Sequence, residues 1–419
     1  MNLSSSLKLP EFLRNVLKLS TSTIIASVIG LITLPIITKI YTVSDLGNFQ
    51  LIISIIMLFS VISSLKYEMA IVLPKSDSEA NRIFQLSILV LILFSFIMTL
   101  TFFFFQDILL TLLNAENISG YILLIPIGIF CYGLLEIVKY GLIRKKKFNK
   151  FALIRVYQVS VTQVCSIGFG WFHPDFFSLF CSYIFGLIVS ISLFFRHSTI
   201  AIKERTVQNI KKLVLRYKKF PIINSSLVFL NTLSNELPIF FLSKYFSMEI
   251  VGFYMLANRI VIIPLNLIGS SVNKVYFQKA SETYNSSPYR LLRMYLKTVK
   301  RLALIGVIPF VLLLIFSPLF TQIIFGLEWE FSGIIMQILA ISMFFKFITS
   351  PISTTFTIIY RQEIGLYLTI FSIVIRFGVM YYFRESFLSM LWALTLSTSL
   401  FYLLYNLCVY FTLTRRVSS

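Results

Sequence analysis

Long apolar runs, separated by short clusters of charge, dominate the chain. From Leu86 to Phe105 no charged residue interrupts the run, and apolar and polar positions do not alternate. A helix needs roughly 20 mostly apolar residues to cross about 30 Å of hydrocarbon. The strands of a membrane barrel would alternate over about ten positions. Backbone polar groups find no partners in lipid, so these runs predict membrane-crossing helices. The pattern predicts twelve of them, near 17–40, 46–65, 84–105, 119–140, 152–172, 176–195, 220–242, 249–271, 302–325, 332–358, 364–383 and 387–411. The fifth and sixth are joined only by His173-Pro174-Asp175. The first run follows basic residues, as a signal peptide would. It continues to about Ile40 without a small-residue cleavage pattern, which predicts a retained helix.

Composition agrees. Of 419 residues, 57% are hydrophobic and 13% charged, and mean hydropathy is +0.86. A soluble globular chain carries about 25% charge, so a water-soluble enzyme and a disordered chain are both excluded. The net charge of +20 would suggest a nucleic-acid partner in a soluble protein. Its placement points elsewhere. With the N-terminus inside, most cations fall in cytoplasmic segments, above all Lys139 to Arg155, Arg196 to Lys219 and Lys274 to Arg301. The outer ends hold Lys39, Lys244 and Arg384 against Asp45, Asp107, Glu116, Asp175, Glu249, Glu328 and Glu330. This asymmetry predicts cytoplasmic termini and accounts for the basic charge through membrane lipids, with no nucleic acid.

The chain also repeats. Leu34-Pro35 precedes Asp45-Leu46-Gly47-Asn48-Phe49, and Leu237-Pro238 precedes Glu249-Ile250-Val251-Gly252-Phe253-Tyr254. The two glycines lie 205 positions apart, close to half the chain. A weak repeat in a polytopic protein predicts two lobes related by an axis along the membrane normal. The fold expected is all-α and polytopic, with two pseudo-symmetric six-helix lobes around a central cavity. The lobes span 1–200 and 217–419, joined by a basic cytoplasmic linker at 201–216. The basic stretch Arg290 to Arg301 reads either as a helix lying on the headgroups or as ordinary entry into the ninth span.

Five ionisable residues fall inside predicted spans: Glu136, Glu236, Arg259, Lys346 and Arg376. Each costs about 2.5–3.5 kcal/mol to insert, so such residues usually face a cavity. Polar stripes accompany them. Arg259, Asn266, Ser270 and Asn273 share one helical face, as do Ser342, Lys346, Thr349 and Ser353. Asn224, Asn231 and Asn235 form another beside Glu236, Arg155, Gln158 and Thr162 a fourth, and Ser20, Thr23, Ser27 and Gly30 a fifth. The plainer reading is interhelical hydrogen bonding, with Glu136 paired to Lys139 and Arg376 snorkelling to an interface. The other reading is a polar cavity with an excess of cations. Lys66, Arg144 and Arg155 then stand near its inner mouth, and the excess suits an anionic substrate such as a phosphate or acidic sugar.

The cysteines lie in apolar runs without metal-like spacing, and two histidines are too few for a metal site, so no metal or cofactor is expected. No phosphate-binding G-x-x-x-x-G-K loop and no nucleophile–base set is present, so the chain reads as a non-enzyme.

One stretch is distinctive: Ser64-Leu65-Lys66-Tyr67-Glu68-Met69-Ala70-Ile71-Val72-Leu73-Pro74-Lys75, followed by Asp77, Glu79 and Ala80. With the two acidic-glycine openings and the stretch Arg144 to Phe148, it resembles the O-antigen and capsule repeat-unit flippases of the Wzx type. These belong to the multidrug/oligosaccharidyl-lipid/polysaccharide exporter superfamily. Lys66 stands where that family usually carries arginine. The resemblance implies a flippase of the bacterial inner membrane. It would carry undecaprenyl-diphosphate-linked oligosaccharide from the cytoplasmic to the periplasmic leaflet by rocking two lobes. It also implies a glycan polymerase and a chain-length regulator as partners. Glu136 and Glu236 are the candidate ion-coupling residues. The alternative on the same fold is a drug or cation antiporter, which would favour carboxylates over cations in the cavity.

Overall fold

The computed structural model describes residues 11–197 and 210–418. Within them twelve helices build the bundle, the eighth of them continued by a further helical stretch. The first six are α1 (Glu11–Ile40), α2 (Val43–Ser60), α3 (Asp77–Phe104), α4 (Ile125–Arg144), α5 (Phe148–Phe172) and α6 (Phe176–His197). The second six are α7 (Ser225–Tyr245), α8 (Met248–Val261), α9 (Pro288–Phe325), α10 (Glu330–Thr349), α11 (Gln362–Tyr382) and α12 (Phe387–Ser418). Most of the expected linker lies outside the described residues; its end is a short helix, Ile210–Arg216.

Local chemistry sets where these helices start. Thr42 and Asp45 form a reciprocal capping box on α2. Ser76 caps α3, Ser247 caps α8, and Ser287 caps α9 with Pro288 in the first turn. Nine of the twelve helices are long and apolar enough to cross a bilayer. The other three, α5, α7 and α8, carry more polar residues or are broken. Beyond Val261 the chain passes a turn at Ile262 and a π-helical stretch, Leu265–Gly269, before resuming as Ser270–Ser286.

Five neighbour pairs in the first half recur six helices later. α1 packs on α5, α2 on α4, α3 on α4, α4 on α6 and α5 on α6. In the second half α7 packs on α11, α8 on α10, α9 on α10, α10 on α12 and α11 on α12. Even the turns match. Lys146 (φ 52°) and Tyr360 (φ 55°) are both left-handed, two residues before α5 and α11. The next amides, of Lys147 and Arg361, donate to the carbonyls of Leu142 and Phe356 at 3.0 and 2.8 Å.

The lobes meet mainly where α2 crosses α8. A Cβ on Gly47 would stand 1.9 Å from the carbonyl oxygen of Met248. One on Gly252 would stand 2.1 Å from the carbonyl oxygen of Val43. The contact is reciprocal, because Val43 and Met248 are also 205 positions apart. The repeat seen in the sequence is therefore a crossing of two helix starts that only glycine permits. It lies at the end of the bundle carrying Asp45, Asp175 and Glu249, the acidic end. The opposite, basic end carries Arg144, Arg216, Arg290 and Arg361.

The stretch Arg290 to Arg301 is the start of the unbroken 38-residue helix α9, not a separate interfacial helix. Arg290, Arg293, Lys297, Lys300 and Arg301 lie on its exposed face, while Leu291, Tyr295 and Leu302 are buried on the other.

Candidate functional site: a cationic central cavity

Between the lobes lies a cavity of about 700 Å³. Its walls come from α1, α2, α5 and α6 of one lobe and α7, α8, α10, α11 and α12 of the other, with the broken stretch after α8. The three helices with too little apolar length are all in its wall. Toward the acidic end the lining is apolar (Leu34, Ile37, Leu46, Leu179 and Ile239), and the glycine crossing adjoins it at Leu46.

Four cations line this space, Arg155, Arg259, Lys346 and Arg376, against one carboxylate, Glu236. Ion pairs among the described residues all lie elsewhere. Arg259, in the last turn of α8, reaches across to the other lobe. A Cβ on Gly30 would stand 3.3 Å from its Nη2 and 3.9 Å from Gln163 Nε2. Gln163 is held by Thr33, whose hydroxyl donates to Oε1 at 3.0 Å. Lys346 donates to Asn235 Oδ1 at 3.5 Å. Arg376 does not snorkel. It is 8% exposed, donates through Nη1 to the Ser234 carbonyl (3.2 Å) and hydroxyl (3.0 Å), and lies 5.7 Å from the Phe401 ring. Glu236 meets the Ser54 hydroxyl across the lobe boundary and lies in electrostatic reach of Lys346. Ser54 in turn accepts from Gln50 Nε2 at 3.1 Å.

Of the residues singled out in the sequence, Gln158, Asn235 and Asn266 line the cavity as well. Lys66, Arg144, Glu136, Asn224 and Asn231 do not, and four of them have other partners. Glu136 pairs with Lys139 at 2.6 Å on its own helix. Asn231 offers its carbonyl to Asn235 Nδ2 at 2.9 Å. Lys66, left-handed at φ 59°, is buried and pairs with Glu68 at 3.2 Å; Ser64 also donates to that carboxylate. Arg144 clamps the loop between α2 and α3. Its Nη1 donates to the carbonyls of Ile71 (3.0 Å) and Pro74 (2.8 Å), its Nη2 to the Ser76 carbonyl (3.1 Å) and Asp77 Oδ1 (2.8 Å). The distinctive Lys66-to-Pro74 stretch is therefore a tied-down turn outside the cavity wall.

Replacing Arg144 with alanine is expected to destabilise the protein by about 2–4 kcal/mol, because several charge-assisted bonds are lost together. Lysine cannot reproduce the fork and should rescue little. Thermal unfolding in detergent checks this. An alanine variant that melts like wild type yet no longer transports would return Arg144 to the substrate path.

Residues 36–333 match the family described as polysaccharide biosynthesis protein. The chain belongs to this family. Its long apolar helices make it a multi-pass membrane protein. One relative of this polysaccharide biosynthesis protein is the succinoglycan biosynthesis transport protein ExoT of Rhizobium meliloti (strain 1021). The two are 23% identical over 334 residues, which is 77% of this chain and 64% of ExoT. The chain thus spans under two thirds of that relative's length. Among solved structures, the fold matches the lipid II flippase MurJ in an inward closed conformation, with a TM-score of 0.72 and 14% identity. That match covers 95% of this chain and 91% of MurJ. It also matches an inward-facing multidrug resistance MATE family transporter, with a TM-score of 0.70 and 16% identity, covering 96% and 94%.

Several lining residues of this family member are absent from the sequence reading. Gln163 directly follows Thr162 and so lies off the α5 stripe, and its partner Thr33 is on another helix. Gln50 lines the cavity from α2 and donates to the buried Ser54 four residues on, and Thr395, Thr398 and Tyr402 follow helical spacing on α12. Spacing could have found these last two sets, although neither contains a charge to draw notice.

Proposed function

We propose that the protein flips an undecaprenyl-diphosphate-linked oligosaccharide, an O-antigen or capsule repeat unit, from the cytoplasmic to the periplasmic leaflet of the bacterial inner membrane. The observation that carries this reading is a set of four cations, without ion-pair partners among the described residues, around one cavity between two lobes. Cations inside a membrane protein are costly unless they serve a ligand or a pathway. A diphosphate and a sugar chain need counter-charges and replacement hydrogen bonds to cross hydrocarbon. Arg259 and Arg155 would take the phosphates in forked bonds, Lys346 as a point charge. Asn235, Asn266 and Gln158 would take sugar hydroxyls. The basic end is assigned to the cytoplasm, with both termini there. The glycine crossing then closes the periplasmic side, as befits a state that loads from within. The inside-negative potential favours export of negative charge by about 2.3 kcal/mol per charge per 100 mV.

Glu236 is the carboxylate on which any ion coupling would rest, since Glu136 is paired outside the cavity. A drug or cation antiporter on the same fold is disfavoured by the sign of the cavity. A polymerase and a chain-length regulator would take the flipped unit onward.

The test is to locate the lipid-linked oligosaccharide in cells with and without the protein. Complete units should build up in the cytoplasmic leaflet when it is absent and clear when it is restored. Undiminished surface glycan in cells that have no other flippase would sink the proposal.

A further inference from the structure

We propose that Arg376, with Ser372 and Thr395, forms a second anion station, which receives an acidic sugar of the transported glycan. This rests on the lipid-linked glycan reading above. Each of these residues has a buried polar atom with no hydrogen-bond partner among the described residues: Arg376 Nε, Thr395 Oγ1 and, behind the cavity wall, Ser372 Oγ. Ser372 lies one turn before Arg376 on the same buried face of α11, and Arg376 and Thr395 both line the cavity. A buried donor without a partner costs about 1–3 kcal/mol, and more when it is charged. Arg376 keeps that cost although one nitrogen already holds Ser234. An acceptor arriving from the cavity would remove it.

The station is separate from Arg259. Arg259 leans on α1 of the opposite lobe, whereas Arg376 is fixed within its own lobe between α7 and α12. A single compact diphosphate need not serve both. Charge points the same way. Four cations against one carboxylate leave the cavity at three positive charges. A diphosphate diester brings two negative ones, and a carboxylate on the glycan would supply the third. The neighbourhood suits a sugar. Thr398 and Tyr402 extend the hydroxyl row along α12, and the Phe401 ring backs the guanidinium.

The test uses the full-length protein in nanodiscs and two synthetic undecaprenyl-diphosphate disaccharides, identical except for glucose or glucuronic acid at the second sugar. Wild type should bind the glucuronate probe about tenfold or more tightly, the size of one charge-assisted bond. Arg376→Gln should collapse that ratio towards one. Arg259→Gln should weaken both probes and preserve the ratio. Thr395→Val, which removes only a hydroxyl, should narrow the ratio and decides the matter if Arg376→Gln does not fold. A wild-type ratio near one, or a ratio that survives at both positions, overturns the station while leaving the flippase reading intact. Failure of wild type to bind either probe removes the flippase reading itself, and the station with it.

Discussion

Gly47→Ala will open the acidic end of the cavity and abolish transport, without unfolding either lobe. The new Cβ would meet the Met248 carbonyl oxygen at 1.9 Å, and backbone cannot rotate out of the way as a side chain can. The two helix starts must separate. Overpacking of this kind costs about 1–3 kcal/mol, a shift of about 5- to 150-fold away from the closed state. Gly252→Ala meets Val43 in the same way and should have the same effect. Because both strike one crossing, the double variant should add little to either alone. The reporter is a cysteine at Asn258, which lines the cavity, in a background lacking the native cysteines. A membrane-impermeant maleimide supplied from the acidic side should label it faster in both variants. Labelling at the wild-type rate would mean that the crossing does not hold the cavity shut.

Arg259→Ala will lower transport about a hundredfold, the largest effect of any cavity side chain. Its guanidinium reaches the opposite lobe, beside Gly30 and Gln163, with no ion-pair partner among the described residues. Forked, charge-assisted bonds to phosphate are worth about twice a neutral hydrogen bond each, so losing two is of this order. Arg259→Lys keeps the charge and loses the fork, and should fall between alanine and wild type. Leaflet-resolved accumulation of lipid-linked oligosaccharide measures both. An alanine variant that flips at the wild-type rate would show that the diphosphate is held elsewhere.

The helices were legible because lipid demands long apolar runs. The lobes were legible because the crossing of α2 and α8 demands glycine twice, at matching positions. Arg259, Lys346 and Arg376 stood out because a cation within an apolar run is expensive. What stayed hidden depends on partners that no spacing reveals. Arg144 is spent on backbone carbonyls of a preceding loop, and carbonyls carry no residue identity. The stripe Arg259, Asn266, Ser270 and Asn273 assumed a uniform helix. The π-helical stretch at Leu265–Gly269 changes the register, so Arg259 and Asn266 face the cavity while Asn273 donates to the Pro351 carbonyl at 2.9 Å. The stripe on α10 divides likewise. Ser342 and Lys346 line the cavity, whereas Thr349 accepts from Asn406 of α12. Part of each stripe faces the cavity, and part joins helix to helix.

The length of α9 has a mechanical consequence. Thirty-eight residues make a rod of about 57 Å, nearly twice the hydrocarbon thickness. The surplus stands out of the bilayer at the basic end, and its exposed cations recur every turn from Arg290 to Arg301. Each is drawn to an anionic surface by about 1 kcal/mol. Sinking the rod by one turn would drag a cation into hydrocarbon at about 2.5–3.5 kcal/mol. The rod therefore acts as a mooring post. On the flippase reading proposed above, it would hold the second lobe at fixed height, so that swinging between leaflets would become a tilt of the first lobe against an anchored partner.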